Sequence, residues 1–318
     1  MTTLMALADL VRVNDVSVRD LGVTDIFNEA PVLTALSVDT ASHGTDHKYL
    51  AESGAPTVGF RAPNAGRARS KSTDRVVTIN LSILDACFHV DAKLADSYPK
   101  GGAAAFMARE ARRHLRAGFK ALQQQIFYGT GSGVAGAATG FVGLADNPQL
   151  NALADSMVLN ALGASDAGVY FDVWMLRTGP EDMQLILGQD GQIDMKEFYK
   201  QSMQDGSGLW FPAWVQDIDG WAGCKVGGAR SVCRIVNCDG RVNATTGVVT
   251  DDLLDDAYEL FPTERKPNLI VMGERGVKQL RQSRTATRAD GQKAPRPTEW
   301  EGVPIVVADL GTYASRVA

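Results

Sequence analysis

Cysteine is scarce in this chain. Four residues, Cys87, Cys224, Cys233 and Cys238, are spread over 318 positions and form no C-x-x-C pair. That spells out neither a disulfide framework nor a zinc knuckle, so reduced, buried thiols in an intracellular setting are expected. No apolar run approaches the roughly 20 residues that cross a bilayer. The first twenty residues scatter their charges and place no basic stretch before an apolar one, which predicts no secretory signal. A net charge of −5 gives no whole-chain attraction to nucleic acid. G-K-S/T and G-x-S-x-G are both missing, which excludes a P-loop and a serine-hydrolase elbow. A soluble, cytoplasmic protein remains.

What is present is an ordinary globular mixture, 45% apolar and 22% charged, long enough for one large or two modest cores. Residues 1–45 form a mixed segment with a short helix expected near Leu4 to Val11. Arg75-Val-Val-Thr-Ile-Asn-Leu has the β-branched content of a strand, and Thr57-Val-Gly-Phe is its expected partner. Between them, residues 62–72 are basic and polar with almost nothing to bury, the tip of a long hairpin. Residues 103–128 then run without proline, with Ala104, Ala108, Ala111, Leu115, Phe119, Leu122 and Ile126 on one apolar stripe. Arg109, Arg112, Arg113, Arg116 and Lys120 gather on another face. Gly129 stops the helix, which would be roughly 39 Å long. Further on, 168–177, 183–187, 209–215, 231–236, 268–272 and 303–307 read as strands, and 251–260 and 276–284 as helices. Residues 282–296 read as a basic loop. The class is α+β, one dominant helix with a β-rich second half.

Each chemical motif has a plainer reading. Gly131, Gly133 and Gly136 spell G-x-G-x-x-G, yet they follow a helix where a dinucleotide cradle needs a strand before and a helix after; a linker is the expectation. "DGQIDMKEF" matches the second half of a calcium loop, but Ile186 and Gly188 fall where the first two carboxylates belong. His43 and His47 flank Asp46 without further ligands, which predicts a solvated loop and no metal. His114 is expected to face solvent. Asp251-Asp252 and Asp255-Asp256 suit a helix start better than acid–base catalysis. The basic stripe on the helix suits a subunit contact or solvent better than nucleic acid, since no aromatics interleave with it. No catalytic residue and no cofactor are expected.

The surviving features are two extended elements that project from a body and need neighbours to cover them. "GFRAPNAGRARSKSTDRVVTINLSIL", "VDAKLADSYPKGGAAAFMAREARRHLRAGFKALQQQIFYGTG", "VCRIVNCDG", "NLIVMGERGVKQLR" and "EWEGVPIVVADL" resemble, in this order, segments of the major capsid proteins of tailed bacteriophages with the HK97-like fold. The resemblance implies an N-terminal arm (1–45), an extended loop (46–84), a peripheral domain with the spine helix (85–130), and a β-rich peripheral and axial region (131–318). It implies a structural shell protein arranged as pentamers and hexamers around double-stranded DNA, built in the host bacterial cytoplasm and ending in the virion. Its partners would be itself, a scaffolding protein, a portal, a decoration protein and non-specifically held DNA. Arg61, Arg67, Arg69 and Lys71 would meet a neighbouring subunit's acidic surface, and Gly129, Gly131 and Gly133 would form a hinge. A Lys–Asn crosslink known in some such shells is not carried over, since no Asn partner for Lys71 is identifiable. A phage connector or tail ring, and a nucleotide-binding enzyme using the glycine stretch, are the alternative readings.

Overall fold

In a computed structural model, the protein is described for residues 11–13, 30–54, 56–66, 69–99, 101–129, 139–148, 150–164, 168–188, 191–228, 230–286 and 292–317. The elements run β1 (Val11–Val13), α1 (Pro31–Ala35), β2 (Val38–Thr40), β3 (Asp46–Gly54), β4 (Thr73–Asn80), β5 (Ser82–Asp85), β6 (Phe88–Asp91), α2 (Ala92–Asp96) and α3 (Gly102–Tyr128). Then come β7 (Val158–Asn160), β8 (Tyr170–Leu176), β9 (Met183–Leu187), β10 (Ile193–Met195), β11 (Tyr199–Gln204), β12 (Trp210–Gln216), β13 (Ile218–Val226) and β14 (Val232–Asp239). The chain closes with α4 (Asp251–Glu259), β15 (Leu269–Met272), α5 (Glu274–Ala286), β16 (Glu299–Trp300) and β17 (Val303–Val307).

These strands make three sheets and a separate hairpin. The first sheet has the order β1-β10-β13-β9-β2 with β5 also on β13; the second is β11-β12-β6; the third is β16-β17-β15-β8-β14-β7; and β3 and β4 pair with each other as a two-stranded ribbon. Every residue of β8 and β14 is buried, as strands covered on both faces require. α4 and α5 supply part of that cover through Leu254, Ala257, Val277 and Leu280. Thr250 caps α4 by accepting from the Leu253 N–H at 3.2 Å, and Asp251 and Asp252 sit where the helix dipole favours them.

α3 ties the layers together. Its stripe Met107, Ala111, Leu115, Phe119, Leu122 and Ile126 is buried, each large side chain contributing about 1.5–3 kcal/mol. Leu115, Gly118 and Phe119 face Leu84 of β5, Ile193 of β10 and Ile218 of β13. At the other end Phe127 and Tyr128 close on Trp174 of β8, with ring centroids 5.5 and 6.3 Å away. The helix therefore spans from the first sheet to the third. It stops at Gly129, whose φ of +56° and ψ of −139° suit only glycine. A Cβ there would strike the Asp146 carboxylate and the Gly143 backbone.

Several sequence expectations change. The partner of β4 is β3, in register from Asp46 opposite Asn80 to Gly54 opposite Thr73, and Thr57–Phe60 belongs to no strand. Period-2 alternation is weak in β3, which hid it. β5, β6, β11, β13 and α2 were not anticipated, and α5 extends to Ala286 into the expected basic loop. Of the expected helix near residues 4–11 only Val11 is described, and it begins β1.

Candidate inter-subunit surfaces

The β3–β4 hairpin is anchored at its foot and bare at its tip. The Tyr49 hydroxyl donates to the Val226 carbonyl at 2.8 Å, and the Lys225 ammonium lies 5.2 Å above the Tyr49 ring. Ala41, Leu81 and Ile186 form a small second core there with Trp221. Further out Leu50 stands opposite Val76, and these are 70% and 64% exposed. Val58 and Phe60 are almost wholly exposed, and Arg61, Arg69 and Lys71 are exposed beside them. The tip holds its own shape: the Arg61 guanidinium donates to the Ala65 carbonyl at 3.0 Å and the Ser70 hydroxyl to the Thr57 carbonyl at 2.7 Å. An isolated two-stranded hairpin is marginal in water, and this one carries exposed apolar side chains along its length. The loop is not without apolar anchors, as its charged tip suggested, because Val58 and Phe60 precede it. Arg67 lies outside the described residues.

The basic face of α3 is largely spent inside the subunit. Arg113 pairs with Glu110 at 2.7 Å and Arg109 with the same carboxylate at 3.4 Å, while the Arg109 guanidinium also covers the Tyr98 and Phe106 rings. Lys120 reaches Asp309 at 2.9 Å. Arg112 is exposed and Arg116 half-buried. Of the expected hinge, Gly129 is buried in a close approach and Gly131 and Gly133 lie outside the described residues.

A third surface was invisible in the sequence. Asp194 of β10 stands opposite Asp219 of β13, and Asp219 opposite Asp85 of β5. Directly opposed residues share a face about 5 Å apart. Three carboxylates from distant parts of the chain therefore form one rung across the sheet, on the side away from α3. Only strand register brings them together.

The decoys resolve on geometry. The described residues flanking the glycine stretch are a helix before it and a single 3-10 turn, Leu144–Asp146, after it, the wrong setting for a phosphate cradle. The calcium-loop match runs through β9 and β10, with strands where entering and leaving helices belong. His47 is buried at the hairpin foot, not solvated; desolvation, aided by Lys225, pushes its imidazole below the ordinary value. His114 is half-buried, stacked on Phe88 with ring centroids 4.5 Å apart. Cys87 is exposed against expectation, whereas Cys224, Cys233 and Cys238 are buried and burial drives their thiols upward, to about 12 for Cys224. Thiols held that high are inert as nucleophiles. Among the described residues no group of three or more His, Cys, Asp or Glu is placed to hold a metal.

A strongly buried charge network is structural. Arg234 of β14 pairs with Asp172 of β8 at 2.7 Å, donates to the Leu150 carbonyl at 3.0 Å and lies over Trp174; the Tyr313 hydroxyl donates to Asp172 at 2.6 Å. It locks the C-terminal segment onto the third sheet.

Comparisons with known proteins agree with this architecture. A chain in the solved structure of bacteriophage Epsilon15 is 19% identical, the match covering 88% of each chain with a TM-score of 0.64. That likeness is one of fold. The bacteriophage JBD30 capsid matches at 11% identity over 89% of this chain and 90% of its own, with a TM-score of 0.47. No curated protein matches the chain. The family model "Major capsid protein GP7" matches residues 22–309. The chain, an α+β protein with the HK97-like fold, belongs to the Major capsid protein GP7 family.

Proposed function

We propose that the chain builds its shell by laying the β3–β4 hairpin of each copy across the next, in pentamers and hexamers of an icosahedral head. As a major capsid protein it is a structural component of the virion and not an enzyme. The observation that carries the proposal is the hairpin itself, which exposes Leu50, Val58, Phe60 and Val76 beside Arg61, Arg69 and Lys71. No monomer gains from that arrangement.

The parts divide the work. Residues 1–45 act as the arm and 46–84 as the extended loop. α3 is the spine of the peripheral domain within 85–130, and the β-rich remainder, 131–318, includes the axial domain. The tip cations, Arg67 among them, meet carboxylates of the adjacent copy. Exposed pairs contribute at most about 1 kcal/mol each, so repetition over the shell supplies the strength. Arg112, the exposed member of the basic face of α3 that the subunit's own pairs among the described residues do not use, serves subunit contacts. Gly131 and Gly133, beyond the fixed Gly129, absorb the rotation between shell positions. A scaffolding protein, a portal and a decoration protein complete the assembly, and packaged DNA is held without sequence preference.

Negative-stain electron microscopy of the purified protein, alone and coexpressed with its neighbouring genes, tests this. Closed shells or tubes tens of nanometres across are the expected result. A small closed ring of one size, or a monomer or dimer under every condition, would overturn it.

A further inference from the structure

Among the described residues the rung of aspartates makes no ion pair within its own subunit. Asp85 and Asp194 are exposed and Asp219 half-buried, and none of the three forms an ion pair among the described residues. Asp85 accepts from the Cys87 backbone N–H at 2.9 Å. In register Arg12 of β1 stands directly opposite Asp194, so the rung sets one cation against three carboxylates and keeps an excess of negative charge. Like charges directly opposed across strands repel, so the free subunit carries an unfavourable arrangement on an exposed face. Beside it lies an apolar spot: Ile83, 59% exposed, paired in register with the half-buried Trp221.

The hairpin tip has the opposite pattern, basic residues next to exposed apolar ones. Tip and rung do not meet within one subunit, since the tip is bare along its described length and its cations make no ion pair among the described residues. We propose that the hairpin tip of one copy docks on the Asp85–Asp219–Asp194 rung of a neighbouring copy, basic tip on acidic rung, with Phe60 against Ile83. This rests on the reading that the hairpin lies across a neighbour, and names the surface that receives it. The occupant is a second copy because both complementary surfaces are on one self-assembling chain. Each copy then gives one tip and receives one, a heterologous contact that closes into rings.

The test is a charge swap. Three full-length chains are compared with wild type: R61E/R69E/K71E at the tip, D85K/D194K/D219K at the rung, and the combination of all six. Subunit folding is followed by thermal unfolding and assembly by light scattering and microscopy. Each triple variant is expected to raise the subunit concentration needed for assembly by about tenfold or more, and the combined chain to return to within about threefold of wild type. Rescue of that kind identifies the pair of surfaces. If lysines at the rung prevent folding, D85N/D194N/D219N decides: relief of repulsion raises the melting temperature of the free subunit while assembly weakens. A purely structural rung would show the reverse. Failure of the tip variant without rescue, together with normal assembly of the asparagine variant, overturns the rung and leaves the hairpin reading standing. Normal assembly of the tip variant sinks both.

Discussion

Replacing Phe60 by Ala separates assembly from folding. In the free subunit the Phe60 ring is fully exposed, so its removal should leave the thermal midpoint of unassembled protein unchanged. On docking, full burial of a Phe contributes about 1.5–3 kcal/mol. A neighbour that covers about half of the ring gains about 1 kcal/mol, a factor of about five in each contact. That rivals one of the exposed ion pairs at the tip. The two contributions respond differently to salt. Raising ionic strength from about 0.1 to 1 M shortens the screening length from about 10 to 3 Å and weakens the Arg and Lys contacts, while the Phe60 contribution persists. The assay is the concentration at which scattering from shells first appears, measured for wild type and F60A at both salts. A deficit of about fivefold or more in F60A at both salts is expected. Unchanged assembly, or a fall in the melting temperature of the free subunit, would refute the reasoning.

Other perturbations act on the body. R234M leaves Asp172 buried beside no cation and should cost about 3–5 kcal/mol, whereas R234M/D172L should come close to wild type. Burial already raises the Asp172 carboxyl above its ordinary value against the pull of Arg234, and the variant raises it further. A raised carboxyl binds its proton more tightly when folded, so R234M loses stability as pH climbs from the unfolded value near 4 to the new folded value, by up to about 1.4 kcal/mol per pH unit. Thermal unfolding of R234M between pH 4.5 and 8 reads this directly, and a loss independent of pH would contradict it. G129A combines a left-handed φ with collisions at Asp146 and Gly143, and should destabilise the subunit by more than about 2 kcal/mol in denaturant unfolding. Wild-type stability for G129A would mean the exit of α3 is looser than its geometry implies.

The spine was legible because one period persists: residues three and four apart from Ala111 to Ile126 have a single physical solution, an amphipathic rod, although Ala104, expected on the same stripe, is exposed and Ala108 only half-buried. β9 and β17 were legible for a similar reason, as short apolar runs between breakers. β13 was not. Asp219-Gly-Trp-Ala-Gly-Cys mixes small and polar residues because Gly223 must let Leu81 approach and Gly220 must lie against Ile193, and tertiary fit overrides strand propensity there. β3, with Asp46, Lys48 and Glu52, reads as polar loop because it is covered at its foot only. Of the surfaces, the tip cations were visible as a charge run. The aspartate rung was not, since Asp85 and Asp194 are 109 positions apart in the chain and only register brings them onto one rung. His114 misled for a related reason, because its partner Phe88 comes from another element.

The span of α3 from the first sheet to the third has a mechanical consequence. A rod of 27 residues, about 40 Å long, with Leu115 and Phe119 seated in one layer and Phe127 and Tyr128 in another, is a lever. A tilt of only about 5° at one end displaces the other by about 3.5 Å, close to one residue of strand. Small differences in how neighbours lean on the helix therefore reach the far sheet as shifts large enough to change side-chain register.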